Sequence, residues 1–493
     1  MKYYSTRSKN TMGVSAAEAI KNGLAPDGGL YMPESIPVLT EDMMTELSRM
    51  SYPERAARIL HMYLTDYTEE ELLADCNAAY SEERFKGGSA PLSPLGDTMA
   101  VLELWHGPTC AFKDMALQIM PRLLSRALVK TGETRTALIL VATSGDTGKA
   151  ALEGYRDIPQ IKIKVFYPAN GVSRVQKLQM ITQSGENVSV SAINGNFDDA
   201  QSGVKRIFSD DGIAKELDAR DTFLSSANSI NWGRLVPQIV YYVSAYLDSV
   251  KMGLIRMGEA LDVCVPTGNF GNIFAAFMAK KMGVPLGRLV CASNMNNVLT
   301  DFLATGTYDR NRPFHTTISP SMDILISSNL ERLLYLVAGP EKTASYMAAL
   351  AKDGCYTLDK ADLAAIKESF CGAYTSEDET RATIKTVFTE NGMLIDPHTA
   401  VGAHAAFAYL KENAGRKMLL VSTASPFKFA LDVYLALTDD APHDPLAALD
   451  MLAARTAQKI PTPLDGIGMR TVRFEDVIEP SSMKDAVLTF AEA

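Results

Sequence analysis

The sequence predicts an α/β protein built on open, mostly parallel, helix-covered sheets, preceded by a mainly helical segment. Three observations predict it. From about residue 135 onward, short strand-like runs alternate with helical patterns, the rhythm of parallel sheets covered by helices. Several of those runs are almost continuously apolar, as strands buried on both faces are. Several end in turns rich in glycine and small polar residues that open into a helix, and ligands of such sheets bind at the carboxyl ends of strands.

Taken in order, residues 1–92 read as a mostly helical domain. A turn-rich stretch, GLAPDGGLYMPESIP (23–37), precedes helical patterns near 41–50, 53–63 and 69–82. FKGGSAPLSPLGD (85–97) marks a boundary. Strands are expected at 136–142, 161–167, 188–193, 261–266, 288–292 and 417–422, with helices at 198–209, 233–250, 271–282 and 398–412. This divides the chain into an N-terminal domain (1–92), a larger α/β domain (93–134 with 251–493) and a smaller α/β domain (135–250).

Composition narrows the function classes. The chain has 493 residues, 47% hydrophobic and 22% charged, which suits two or three soluble domains. A net charge of −10 argues against nucleic-acid or anionic-membrane partners for the molecule as a whole. The six cysteines form no Cys-x-x-Cys pair and fit neither a zinc site nor a disulfide framework, so no metal is expected. The opening MKYYSTR has no apolar core of a signal peptide, and no apolar run approaches a membrane span. A cytoplasmic protein, monomeric or homodimeric, is the expectation.

Four turns carry chemistry. In HGPTCAFKDMALQ (106–118), Lys113 stands between an apolar pair and a helix start. The helix dipole and desolvation both disfavour its ammonium, and a lysine tuned toward neutrality can attack a carbonyl. The bland alternative is a surface lysine with a packed stem. In TSGDTGKA (143–150), Ser144, Asp146 and Thr147 offer polar groups beside two glycines. The stretch fails as a Walker A loop, because Thr143 replaces the first glycine and Ala150 follows Lys149. In VPTGNFGN (265–272), Gly268, Asn269, Phe270 and Gly271 present consecutive amides at the mouth of a helix, a nest for a phosphate. In VSTASPFKF (421–429), Thr423 and Ser425 are hydroxyls at a strand's carboxyl end, where Ser425 could equally be a helix cap. A fifth stretch, SSANSINWGRLVPQ (225–238), sets Asn228 and Ser229 ahead of an apolar helix with Arg234 in its first turn. A cation there opposes the dipole and implies an anionic partner, either a protein carboxylate or a ligand phosphate.

Together HGPTCAFKDMALQ, ATSGDTG, NSINWGR, PTGNFGN and TASPFKF, in this order, resemble threonine synthase, a pyridoxal 5'-phosphate (PLP) family of the tryptophan-synthase-β fold type. GLAPDGGLYMPE resembles that family's N-terminal segment. The resemblance runs from about residue 3 to 430 and implies a PLP fold type II enzyme. It makes Lys113 the Schiff-base lysine. It places the cofactor phosphate on Gly268, Asn269, Phe270, Gly271 and Asn272, and Thr423 on the pyridine nitrogen. It gives the substrate O-phospho-L-homoserine to Ser144, Asp146, Thr147, Asn228, Ser229 and Arg234. The reaction implied is conversion of that substrate and water to L-threonine and phosphate. Two positions depart from relatives: Asn272, where others can have aspartate, and Ser425, where some have histidine. Rival readings are a PLP-dependent phospho-lyase or dehydratase releasing an α-keto acid, and a non-catalytic phosphate-binding module.

Overall fold

The computed structural model describes residues 1–8, 12–143, 145–170, 172–438, 440, 442 and 444–492. The N-terminal residues fold as helices 16–22, 41–48, 52–63 and 69–79, with one antiparallel pair, Tyr3–Ser5 against Tyr31–Pro33. Ser15, Ser51 and Thr68 each open a helix in a reciprocal capping box with Glu18, Glu54 and Glu71. These boxes satisfy amides that a helix start leaves unpaired.

Two sheets follow. The larger has six strands, in spatial order Phe370–Tyr374, Leu286–Ser293, Leu261–Pro266, Met418–Ser422, Met99–Glu103 and Leu92–Leu95. All its neighbours are parallel except the antiparallel edge strand Leu92–Leu95. The smaller has five strands, all parallel: Val477–Ile478, Val188–Ile193, Ile161–Pro168, Thr136–Ala142 and Thr222–Ser225. Its interior strand Thr136–Ala142 is buried along Ala137–Val141, as a strand covered on both faces must be. Among the described residues no helix is long and apolar enough to cross a membrane. The six cysteines are free thiols, and Cys76, Cys110, Cys264 and Cys291 are buried.

The division of the chain differs from the sequence expectation in two places. Trp232–Met252, grouped by sequence with the smaller unit, packs instead on Tyr52–Tyr63 and Gly271–Lys281. It is apolar on nearly every side and needs neighbours all round. Residues 477–492, grouped with the larger unit, return to the smaller sheet. There Val477–Ile478 pairs with Ala192 and Ile193, and Met483–Glu492 joins its apolar core.

Candidate active site

Three of the four turns arise from adjacent strands of the larger sheet. Leu261–Pro266, Met418–Ser422 and Met99–Glu103 are neighbours, so their carboxyl-end loops stand side by side. The lysine stretch is stitched to the 423–425 turn through its backbone. The Phe112 amide donates to the Thr423 carbonyl at 2.8 Å, and the Ser425 amide to the Cys110 carbonyl at 3.0 Å. Ala111 and Ala424 form an isolated antiparallel bridge. Lys113 caps the short helix Asp114–Leu117, and Asp114 turns back to accept the Thr109 amide and hydroxyl, both at 2.8 Å. That brace fixes the loop ahead of the lysine.

Lys113 keeps 10% side-chain exposure. Burial drives its amine down to about 8, helped by the nearby charges of Arg234 and Lys428 and opposed by Asp146. Its Nζ lies 3.3 Å from Asp146 Oδ2 and 3.2 Å from Ser321 Oγ. Asp146 is a hub: its oxygens also meet Lys428 Nζ at 2.8 Å, Gln176 Nε2 at 2.8 Å and Ser321 Oγ at 3.1 Å. Burial alone would favour the neutral acid, but Lys113 and Lys428 outweigh it and hold the carboxyl well below the usual range. Lys428 is fully buried and also donates to the Thr109 carbonyl at 2.9 Å.

The 265–272 turn is an amide nest. The amides of Gly268, Asn269 and Phe270 have no hydrogen-bond partner among the described residues, while the carbonyls of Gly268 and Asn269 are tied back by Ser327 Oγ (2.7 Å) and by the Asn329 amide and Nδ2 (both 3.1 Å). The donors are thereby left free for a ligand. Phe270, not a glycine, takes the left-handed conformation (φ 63°), and its ring packs on Phe370. Gly268 is needed for closeness: a Cβ there would stand 2.8 Å from the Ser321 carbonyl oxygen. Asn272 Oδ1 accepts both the Tyr241 and Tyr242 hydroxyls at 2.6 Å, and its buried Nδ2 has no partner among the described residues.

The remaining expected residues are placed unevenly. Thr423 is buried at the strand end, and the buried Ser425 hydroxyl has no partner among the described residues. Ser425 caps no helix by its side chain. Ser229 Oγ accepts from Asn329 Nδ2 at 3.0 Å, beside Gly271. Asn228 and Thr147 are half-buried. Arg234 is 6% exposed and donates to the Ala227 carbonyl at 2.9 Å. It forms no salt bridge among the described residues, so the carboxylate partner that sequence left open is not found; Asp146 is paired with the two lysines instead. Burial pushes the Arg234 guanidinium down to about 10. Ser144 lies outside the described residues. Sequence reasoning missed Lys428, Ser321, Gln176 and Asn329. Lys428 alone carried a signal, lying within the quoted 421–429 stretch at a strand's carboxyl end.

An amine held near neutrality beside a nest of free amides defines a site for an aldehyde cofactor that carries a phosphate. The model "Pyridoxal-phosphate dependent enzyme" matches residues 94–424. "Threonine synthase N terminus" matches 2–80, and "Threonine synthase, C-terminal" matches 399–487. Threonine synthase of Pseudomonas aeruginosa is 38% identical over 92% of this chain and 93% of its own length. Threonine synthase-like 1 of Homo sapiens is 41% identical over 85% of this chain, which spans only 58% of that longer protein. The structure of PLP-bound threonine synthase from Brucella melitensis superposes with a TM-score of 0.86 at 36% identity, covering 100% of both chains. Yeast threonine synthase gives 0.88 at 32% identity, covering 99% of this chain and 98% of its own. The chain belongs to the threonine synthase family of PLP-dependent enzymes.

The residues present fit that cofactor. Free amides and the unpartnered Asn272 Nδ2 suit a phosphate, and Lys113 suits an aldehyde. Thr423 and Ser425 offer neutral hydroxyls for a pyridine nitrogen.

Proposed function

We propose that this chain converts O-phospho-L-homoserine and water to L-threonine and inorganic phosphate, as a carbon–oxygen lyase dependent on PLP. The observation that carries this reading is the pairing of a buried, near-neutral Lys113 with a buried, unpaired Arg234 in one cleft. The first is the base such a reaction needs, and the second is a seat for the substrate's own phosphate.

Gly268, Asn269, Phe270 and Gly271, with Asn272 Nδ2, would hold the cofactor phosphate by amide donors alone. Thr423 would face the pyridine nitrogen, with Ser425 as a second hydroxyl there. Bound in this way, PLP would supply an electron sink for the electron pair left on carbon when a proton departs beside the substrate amine. Lys113 Nζ takes the Cα proton, and Asp146 steadies the ammonium that results. Because its oxygens are engaged by two lysines, we assign Asp146 to holding Lys113 rather than to binding an anionic substrate. Arg234 binds the substrate phosphate and orients it for departure, with Thr147, Asn228 and Ser229 completing the wall. Burial of the whole cluster keeps bulk water from competing.

The test is incubation with O-phospho-L-homoserine, with and without added PLP, scoring threonine and phosphate. Equal amounts of both are expected. An α-keto acid with ammonia in place of threonine would make the chain a phospho-lyase. Phosphate binding with no product would leave only a binding module.

A further inference from the structure

A neutral amine has two N–H bonds and one lone pair. At Lys113 two acceptors stand within reach of those bonds: Asp146 Oδ2 at 3.3 Å and Ser321 Oγ at 3.2 Å. Ser321 spends its single proton on Asp146 Oδ2 at 3.1 Å, so only its lone pair faces Nζ. With both N–H bonds engaged on that side, the amine's lone pair is turned away from them.

Ser321 sits in the short helical turn Pro320–Met322, which needs an outside anchor. One end is held by Asp323, which accepts from the Thr317 amide (2.9 Å), the Thr317 hydroxyl (2.8 Å), Asn294 Nδ2 (2.8 Å) and Asn296 Nδ2 (3.0 Å). The other anchor is a histidine. The Ser321 amide donates to His398 Nε2 at 3.0 Å, so Nε2 carries no proton. The proton is then on Nδ1, which lies 2.6 Å from Asp396 Oδ2. Asp396 is in turn fixed as the cap of Pro397–Glu412, accepting the His398 amide at 3.0 Å and the Thr399 amide at 3.1 Å. Both members are buried, at 2% and 0% exposure. Asp396, Asp323 and Asp432 are the charges that bear on His398, while Asp146, Arg234 and Lys428 are those that bear on Lys113.

We propose that Ser321 is a catalytic residue, orienting the lone pair of Lys113, and that the buried His398–Asp396 pair is the positioning device that holds Ser321 there. The proposal deepens the reading of Lys113 as the reacting amine. The pair acts by tautomer: Asp396 keeps the proton on Nδ1, which leaves Nε2 to accept. An ångström of drift at a reacting group can cost up to about a hundredfold in rate.

The experiment follows PLP loading onto the cofactor-free full-length chain, with no substrate present. It reads the rate plateau at high pH, where the amine carries no proton, together with the melting temperature. Ser321→Ala and His398→Leu should each lower the plateau about tenfold, and the double variant should fall no further than either. Ser321→Thr keeps the hydroxyl, and His398→Gln keeps an acceptor for the amide; both should load close to wild type. An unchanged plateau in Ser321→Ala overturns the role of Ser321. A second, multiplicative loss on adding His398→Leu to Ser321→Ala overturns the coupling. A melt lowered equally by His398→Leu and His398→Gln, with loading unmoved, makes the pair a structural one only. Failure of the threonine assay would sink the proposed reaction while leaving these loading rates to be judged separately.

Discussion

Arg234 is a buried cation without a salt-bridge partner among the described residues, and that makes a double prediction. Burial pushes its guanidinium more than two units below the ordinary arginine range, to about 10. Each unit is worth ~1.4 kcal/mol, so holding it charged costs the fold about 3 kcal/mol at neutral pH. The sign is that of a depressed cation: the penalty is present below pH 10 and fades as pH rises through it. Arg234→Met removes the charge while keeping an apolar stem. The ligand-free variant should therefore melt higher than wild type, by up to a few degrees. The stabilisation that O-phospho-L-homoserine gives to wild type should vanish in it. Arg234→Lys keeps the charge but loses the planar fork, at a cost of about 1.5–3 kcal/mol for one charge-assisted pair of bonds. That corresponds to roughly ten- to a hundred-and-fifty-fold in kcat/KM, with PLP absorbance as in wild type. The assays are thermal melts with and without substrate, and kcat/KM on O-phospho-L-homoserine and on a phosphate-free analogue. A lower melt for Arg234→Met without ligand, or an equal kcat/KM loss for Arg234→Lys on both compounds, would refute the phosphate seat.

Lys113→Ala should abolish turnover with little loss of fold, and borohydride reduction of the holoenzyme should leave a pyridoxyl group on the Lys113 peptide by mass spectrometry. Loading of PLP onto cofactor-free chain should rise with pH, half-maximal near 8, because below that pH the amine holds its proton; a midpoint near the usual lysine value would contradict the desolvated site. Gly268→Val should raise the Kd for PLP and also lower the melt, since a Cβ there meets the Ser321 backbone. Gly271→Val has more room, its Cβ lying 3.2 Å from the Asn329 side chain, so it should weaken PLP binding with a smaller loss of stability.

Strands with dense apolar character were legible in sequence. The runs at 136–142, 188–193 and 261–266 match their observed bounds; the first is apolar almost throughout, as burial on both faces favours, while 188–193 alternates with Ser189 and Ser191. Strands that carry less of it were not legible. Leu92–Leu95 contains a proline and lies at an edge, where one fits. Phe370–Tyr374, with a glycine, is exposed at alternate positions. The site divides in the same way. Lys113 and the 268–271 nest announce themselves because residue type and local turn suffice. Ser321 and His398 do not, since each is an ordinary residue whose meaning comes from a neighbour 77 positions away. The positive φ of the nest falls on Phe270 and on neither Gly268 nor Gly271, so these two glycines serve close approach instead.

The return of the chain's last strand to the smaller sheet sets a clock on synthesis. Asn194 and Glu479, bonded beside that strand, are 285 residues apart. At about 5–20 residues per second, the ribosome takes roughly 15–60 s to bridge that interval. Throughout it the edge of Val188–Ile193 is without its final neighbour, and an open edge is a template for pairing with other chains. A nascent chain is thus most prone to aggregate after the rest of its smaller sheet has formed and before Val477–Ile478 has emerged.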